Sequence, residues 1–78
     1  MDNKRPDEAT LREMRVHAFI TLANDALRRA DYTTALGYIE EVLALDADNG
    51  RGLLGKCMVL AEMAYFDEAL RTARRLLE

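Results

Sequence analysis

The amino-acid sequence predicts an all-α fold made of two tandem helix pairs. Half of the residues are apolar and 32% are charged, the balance of a chain that folds rather than of a disordered one. Apolar residues recur at spacings of three and four, the period of a helix with one buried face. The pattern of the first half of the chain also returns 34 residues later. A length of 78 residues allows a single domain, which we expect to cover residues 7–78.

The first helix is predicted to run from Asp7 to about Ala30, where no glycine or proline interrupts the chain. Residues 1–6 precede it as a flexible N-terminus, and Pro6 is tolerated in a first helical turn because its missing N–H would have no partner there. Asp7 and Glu8 add negative charge where the helix dipole favours it. The apolar side of this helix carries Leu11, Met14, Ala18, Leu22 and Ala26, joined by Phe19, Ala23, Leu27 and Ala30.

The second helix is predicted to begin after a cap at Asp31 or Thr33, since either side chain can accept a hydrogen bond from a free backbone N–H. It ends near Leu45, because residues 46–50 read DADNG, a run of short polar residues and glycine that is typical of a turn. We expect one apolar stripe on this helix. The stripe consists of Ala35, Leu36, Ile39, Val42 and Leu43.

Two further helices follow the turn. The third is predicted over about residues 51–63, although Gly52 and Gly55 weaken its first turns by roughly 1 kcal/mol each. Asp67 is predicted to cap the fourth helix, whose arginines lie toward its C-terminal end, where the dipole favours positive charge. The apolar residues of the fourth helix are Ala69, Leu70, Ala73, Leu76 and Leu77.

A shift of 34 residues places every stripe residue of the second helix on an apolar residue of the fourth. The same shift aligns three further pairs: Tyr32 with Phe66, Phe19 with Leu53, and Ala23 with Cys57. On these positions, and on the runs DYTTAL and YFDEAL, the chain resembles the tetratricopeptide repeat (TPR) family. The two units of this resemblance cover residues 16–49 and 50–78.

The resemblance implies a fragment of a right-handed α-solenoid, with a first helix extended at its N-terminus. Three departures from the family pattern occur: Lys56 stands where a leucine is usual, Ala47 where a proline is usual, and the glycine before the aromatic residue is absent. Stacked repeats bury each other's apolar faces, and about three are usual. With two repeats, the last helix has no following helix to cover it. Self-association, as a dimer, or a place in a longer repeat array would supply the cover.

The resemblance also implies that the first helix of each pair lines a concave, partner-binding groove. In chaperone-binding relatives this groove holds a C-terminal carboxylate with lysines and asparagines. Asn24 matches one such position, whereas Ile20 and Met58 stand where a lysine and a second asparagine occur. We therefore expect an apolar groove that suits an extended or helical peptide with hydrophobic anchors. The predicted partner-binding residues are Ile20, Asn24, Leu27, Arg28, Arg51, Leu54 and Met58. The alternative is that the same residues serve packing or a subunit interface.

Two sequence patterns resemble ligand sites but fit packing better. The run GRGLLGKC, residues 50–57, matches G-x-G-x-x-G and comes close to a P-loop, yet both motifs need a preceding strand in a parallel sheet. Its glycines more simply permit the close approach of another helix or of a ligand backbone. Asp46 and Asp48 resemble the start of a calcium loop, but Gly50 falls one place early and no glutamate closes the loop.

Nothing in the sequence indicates catalysis, a metal or a cofactor. His17 and Cys57 are the only residues of their types and no serine is present, so neither a zinc site nor a hydrolytic triad is expected. A net charge of −3, with both signs interleaved, argues against nucleic acid as a partner. A single cysteine, and the lack of a signal peptide or membrane segment, favour the cytoplasm.

The sequence therefore predicts a protein-interaction module, an adaptor or chaperone-like scaffold without enzymatic activity, that binds a peptide or protein segment. The alternative is a structural module, either self-assembling or part of a longer TPR array.

Overall fold

The computed structural model describes residues 7–78, which contain four α-helices and no strand. The predicted all-helical class is confirmed. The predicted flexible segment, residues 1–6 with Pro6, lies outside the described residues. The four helices are α1 (Glu8–Arg28), α2 (Tyr32–Leu45), α3 (Gly50–Glu62) and α4 (Phe66–Leu77).

Side chains cap the first three helices, as expected for short polar residues at these positions. Asp31 rather than Thr33 caps α2, and acceptance of the Thr10 amide proton lowers the pKa of the Asp7 carboxyl. The three capping bonds run from the Thr10 amide to Asp7 (2.8 Å), from the Thr34 amide to Asp31 (3.3 Å) and from the Gly52 amide to Asn49 (2.9 Å).

The predicted cap at Asp67 is wrong. Helix α4 begins at Phe66, two residues before the start that a cap at Asp67 implies, and Tyr65 occupies the capping position without a side-chain hydrogen bond. The helix starts early because the tight turn at Ala64 already directs the chain into it. Asp67 and Glu68 instead lie within the first turn, where their charge interacts favourably with the helix dipole.

Each helix pair is joined by the same tight turn, centred on an alanine with left-handed backbone geometry. Ala30 has a φ of 58° and Ala64 a φ of 64°. In both turns the amide of the next residue donates to a carbonyl five residues back, as in a Schellman motif. These bonds join Asp31 to Ala26 (2.9 Å) and Tyr65 to Leu60 (2.8 Å). Alanine thus occupies two positions whose backbone favours glycine.

Helix α2 forms the centre of the fold, because it packs against α1 on one side and α3 on the other. Its side chains Ala35, Ile39 and Val42 are completely or almost completely buried, as is Val59 of α3. Helix α4 packs against α3 and, within residues 7–78, makes no comparable contact with α1 or α2. The order of packing is therefore α1, α2, α3, α4.

Glycine at position 52 allows α3 to approach α2 closely. The sequence predicted this role for the glycines of residues 50–57. A Cβ atom added to Gly52 would lie 3.0 Å from side-chain atoms of both Val42 and Leu43. Val42 is fully buried and β-branched, so it cannot move aside easily. By contrast, a Cβ atom at Gly37 on α2 would meet nothing within 4 Å.

These two glycines should respond oppositely to alanine. We expect Gly37→Ala to raise the free energy of unfolding by about 0.5–1 kcal/mol, because alanine restricts the unfolded chain and favours helix. Gly52→Ala should lower it by about 1 kcal/mol, because overpacking against Val42 outweighs the gain in helix propensity. Urea unfolding followed by circular dichroism measures both changes. Stabilisation by Gly52→Ala would contradict the close contact.

The left-handed alanines give a second prediction. We expect Ala30→Gly and Ala64→Gly each to raise the free energy of unfolding by about 0.5–1 kcal/mol, since glycine adopts positive φ without steric cost. Ala18→Gly, an exposed site inside α1, is the matched control and should cost about 1 kcal/mol. Thermal unfolding of the three variants distinguishes them. A loss at all three sites would show that the turns do not favour glycine.

Candidate functional site

Helices α1 and α3 form the walls of a depression of about 220 Å³, with α2 beneath them. Its lining is mostly apolar. Six of the seven predicted partner-binding residues line it: Ile20, Asn24, Leu27, Arg51, Leu54 and Met58. Ala23, Ile39 and Gly55 complete the lining. We call this depression the α1–α3 groove.

The floor of the groove is made by small residues above the buried side chain of Ile39. Ala23 and Ile39 are both buried, and a Cβ atom added to Gly55 would lie 3.1 Å from the Cδ1 atom of Ile39. Any larger residue at position 55 would therefore crowd Ile39 and fill part of the groove. The apolar pattern assigned Ala23 and Ile39 to core packing, which explains why they were not predicted as groove residues.

The α3 wall exposes two flexible apolar side chains. Leu54 and Met58, four residues apart and hence on one face of the helix, are 49% and 52% exposed. On the α1 wall, Leu27 is half-buried and Ile20 is only 9% exposed. Ile20 belongs to a core cluster with Val16 and Val42, so it supports the wall more than it offers a free contact.

Polar groups occupy the rim of the groove. Asn24 and Arg51 are exposed and line it from opposite helices. Arg28, also predicted as a partner-binding residue, does not line the groove. It is the last residue of α1, and its guanidinium lies 3.5 Å from the carboxylate of Asp25, one turn back. The rim thus offers one amide and one guanidinium.

A second, more polar depression of about 430 Å³ lies among α2, α3 and α4. Three of its charged side chains, Glu40, Lys56 and Arg75, already form ion pairs across elements. Lys56, which stands where the TPR pattern has leucine, lies 3.3 Å from Glu40 on α2. Arg75 lies 3.0 Å from Asp48 in the turn between α2 and α3. Because these ions are paired, the depression is better explained by packing between elements than by ligand binding.

The glycines of the nucleotide-like run lie within α3, not in a loop between a strand and a helix. Gly50 is the first residue of α3, which follows α2 and a short turn. The phosphate-binding geometry of a P-loop, which needs a strand before the loop, is therefore absent from the described chain. The thiol of Cys57 is half-buried.

Residues 7–78 contain no candidate for a metal site, a membrane-spanning helix or a buried polar atom without a partner. No three His, Cys, Asp or Glu side chains in this range converge in a way that could hold a metal ion. None of the helices described combines enough length with enough apolar character to cross a lipid bilayer. Side-chain nitrogen and oxygen atoms that are buried in this part of the chain all have hydrogen-bond partners.

Comparisons of the chain with protein-family models, with curated proteins and with solved structures found no match.

Proposed function

We propose that this chain is a TPR-like protein-interaction module, with repeats at residues 16–49 and 50–78, that holds a peptide or protein segment in the α1–α3 groove. The observation that carries this proposal is the groove itself, an open apolar depression whose α3 wall leaves Leu54 and Met58 half exposed. Apolar side chains held in a concave surface gain free energy when a partner removes them from water.

The size of the groove favours a side-chain anchor over a cofactor. Its volume of about 220 Å³ lies below the roughly 300–1,000 Å³ typical of small-molecule sites. Met58 can adjust its three side-chain torsions to anchors of different shape. The occupant that fits is a peptide that inserts one or two bulky aliphatic or aromatic residues.

The polar residues at the rim of the groove indicate which groups of the peptide would lie beside its hydrophobic anchor. Asn24 carries both a donor and an acceptor, which can pair with the peptide backbone beside the anchor. Arg51 carries the positive charge in the lining, so a carboxylate next to the anchor would meet it. We therefore propose a peptide that combines hydrophobic anchors with an adjacent acidic residue. No catalytic step is part of this function.

A structural role is the second candidate, either as a self-assembling module or as part of a longer TPR array. The exposed apolar face of α4, which includes Phe66 and Leu77, favours it. We place either function in a reducing cytoplasm, because the single cysteine of the chain cannot form an internal disulfide.

Leu54→Glu tests the groove directly. Peptides selected from a random display library on the full chain should contain bulky apolar anchors, and Leu54→Glu should weaken their binding at least about tenfold. Leu22→Glu is the matched control, because Leu22 is 44% exposed, close to the 49% of Leu54, and lies outside the groove. It should leave the Kd within about twofold. Isothermal titration calorimetry measures both variants.

Three results would contradict peptide binding in the α1–α3 groove. The first is a Leu54→Glu variant that binds the selected peptides as tightly as the unmodified chain, and the second is a Leu22→Glu variant that weakens their binding equally. Selection that yields no peptide able to shift the amide resonances of Asn24 and Met58 would also exclude it. Ile20 is unsuitable for this test, because its burial means that a glutamate there would disrupt the core.

A further inference from the structure

Helix α4 carries a second apolar stripe beside the face that packs against α3. Phe66, Leu70, Ala73 and Leu77 follow the spacing i, i+4, i+7, i+11, and the three large ones are 66%, 55% and 86% exposed. We call these four residues the α4 stripe. Helix α4 meets the rest of the fold through Ala69 and Thr72, which are buried on a different side of the helix. Ala73 is half-buried at the edge of that packed side, whereas Phe66, Leu70 and Leu77 contribute little to packing within residues 7–78.

The same positions on α2 are covered. Tyr32, Leu36 and Leu43 are half-buried, and Ile39 is buried, because α1 and α3 enclose α2. The corresponding residues of α4, 34 positions later, have only α3 beside them. The chain thus exposes on α4 a surface that it buries on α2.

We propose that the α4 stripe is a two-fold interface between two copies of this chain, with their α4 helices packed antiparallel. Two properties of α4 select this occupant and this direction: the placement of charge beside the stripe, and the position of its one small residue, Ala73.

The charge beside the stripe is self-complementary only in the antiparallel arrangement. Asp67 and Arg74 are seven residues apart, so they lie on the same flank of the stripe. Antiparallel packing places Asp67 next to the partner's Arg74, and the two-fold axis makes this pair twice. Parallel packing would place this flank of each helix on the opposite side of the seam from the partner's, so Asp67 and Arg74 would not meet. Within residues 7–78, neither Asp67 nor Arg74 forms an ion pair.

The shape of the stripe is self-complementary in the same arrangement. When the two-fold axis passes between Leu70 and Ala73, each Leu70 lies opposite the partner's Ala73, so a large residue meets a small one. Phe66 then lies opposite the partner's Leu77. With 12 residues, α4 is about 18 Å long, enough for three turns of contact.

Sedimentation equilibrium of the full chain, at concentrations up to about 1 mM, tests the interface. We expect a closed monomer–dimer equilibrium. Leu70→Glu should weaken dimerisation at least about a hundredfold, because it places two charges in the apolar seam. Leu54→Glu, an equally exposed leucine on α3, should leave the dimer unchanged.

Charge reversal tests the direction of packing. Asp67→Arg and Arg74→Asp should each weaken the dimer at least about tenfold, and the double variant should return its Kd to within about threefold of the original. Reversing the charges of both Asp67 and Arg74 adds an unfavourable interaction with the helix dipole at each end of α4. Recovery in the double variant therefore cannot come from a better-folded α4. Circular dichroism checks that each variant is folded.

Three outcomes would overturn the interface: a monomer throughout the concentration range, a mass that keeps growing beyond the dimer, or a double variant no tighter than the single ones. The second would indicate head-to-tail packing of α4 on another surface, which leaves an open chain of copies. Peptide binding in the α1–α3 groove is measured separately on Leu70→Glu, which should retain it.

Discussion

The close contact between α2 and α3 is the constraint on which the rest of this structure depends. Gly52 lets Val42 and Leu43 pack directly against the backbone of α3, and Gly55 does the same for Ile39. Each glycine costs about 1 kcal/mol of helix propensity, which burial of Ile39 and Val42 offsets at about 1.5–3 kcal/mol per side chain. This is the only broad contact between the two helix pairs among the described residues, so it holds them together.

The same contact also shapes the groove. Gly55 contacts Ile39 on its inner side and lines the groove on its outer side, so the depth of the groove and the packing of the core depend on one residue. The groove and the α4 stripe, by contrast, share no residue and lie on separate surfaces. The proposed peptide site and the proposed dimer interface are therefore separate, so changes at one need not disturb the other.

Helix positions, the turn at residues 46–50 and most of the groove could be predicted from the sequence, because helical spacing and the 34-residue shift indicate which side chains share a face. The predicted buried face of α1 is partly wrong, since Leu11, Met14 and Leu22 are exposed and Val16 is buried instead. Features that depend on backbone geometry or on pairing between helices could not be predicted from the sequence. An alanine gives no sign of the positive φ found at Ala30, and the early start of α4 follows from the turn before it. Likewise, predicting the ion pair between Lys56 and Glu40 requires the distance between α3 and α2, which the spacing of residues along the chain does not give.

Native-state hydrogen exchange of the backbone amides, measured by NMR at low protein concentration, tests the central role of the α2–α3 contact most directly. If this contact couples the two helix pairs, the amides of α2 and α3 should share the highest protection and exchange with one common free energy of opening. Those of α4, which packs only against α3 within residues 7–78, should be less protected. Distinct free energies for α2 and α3, with α3 opening while α2 stays closed, would contradict the account.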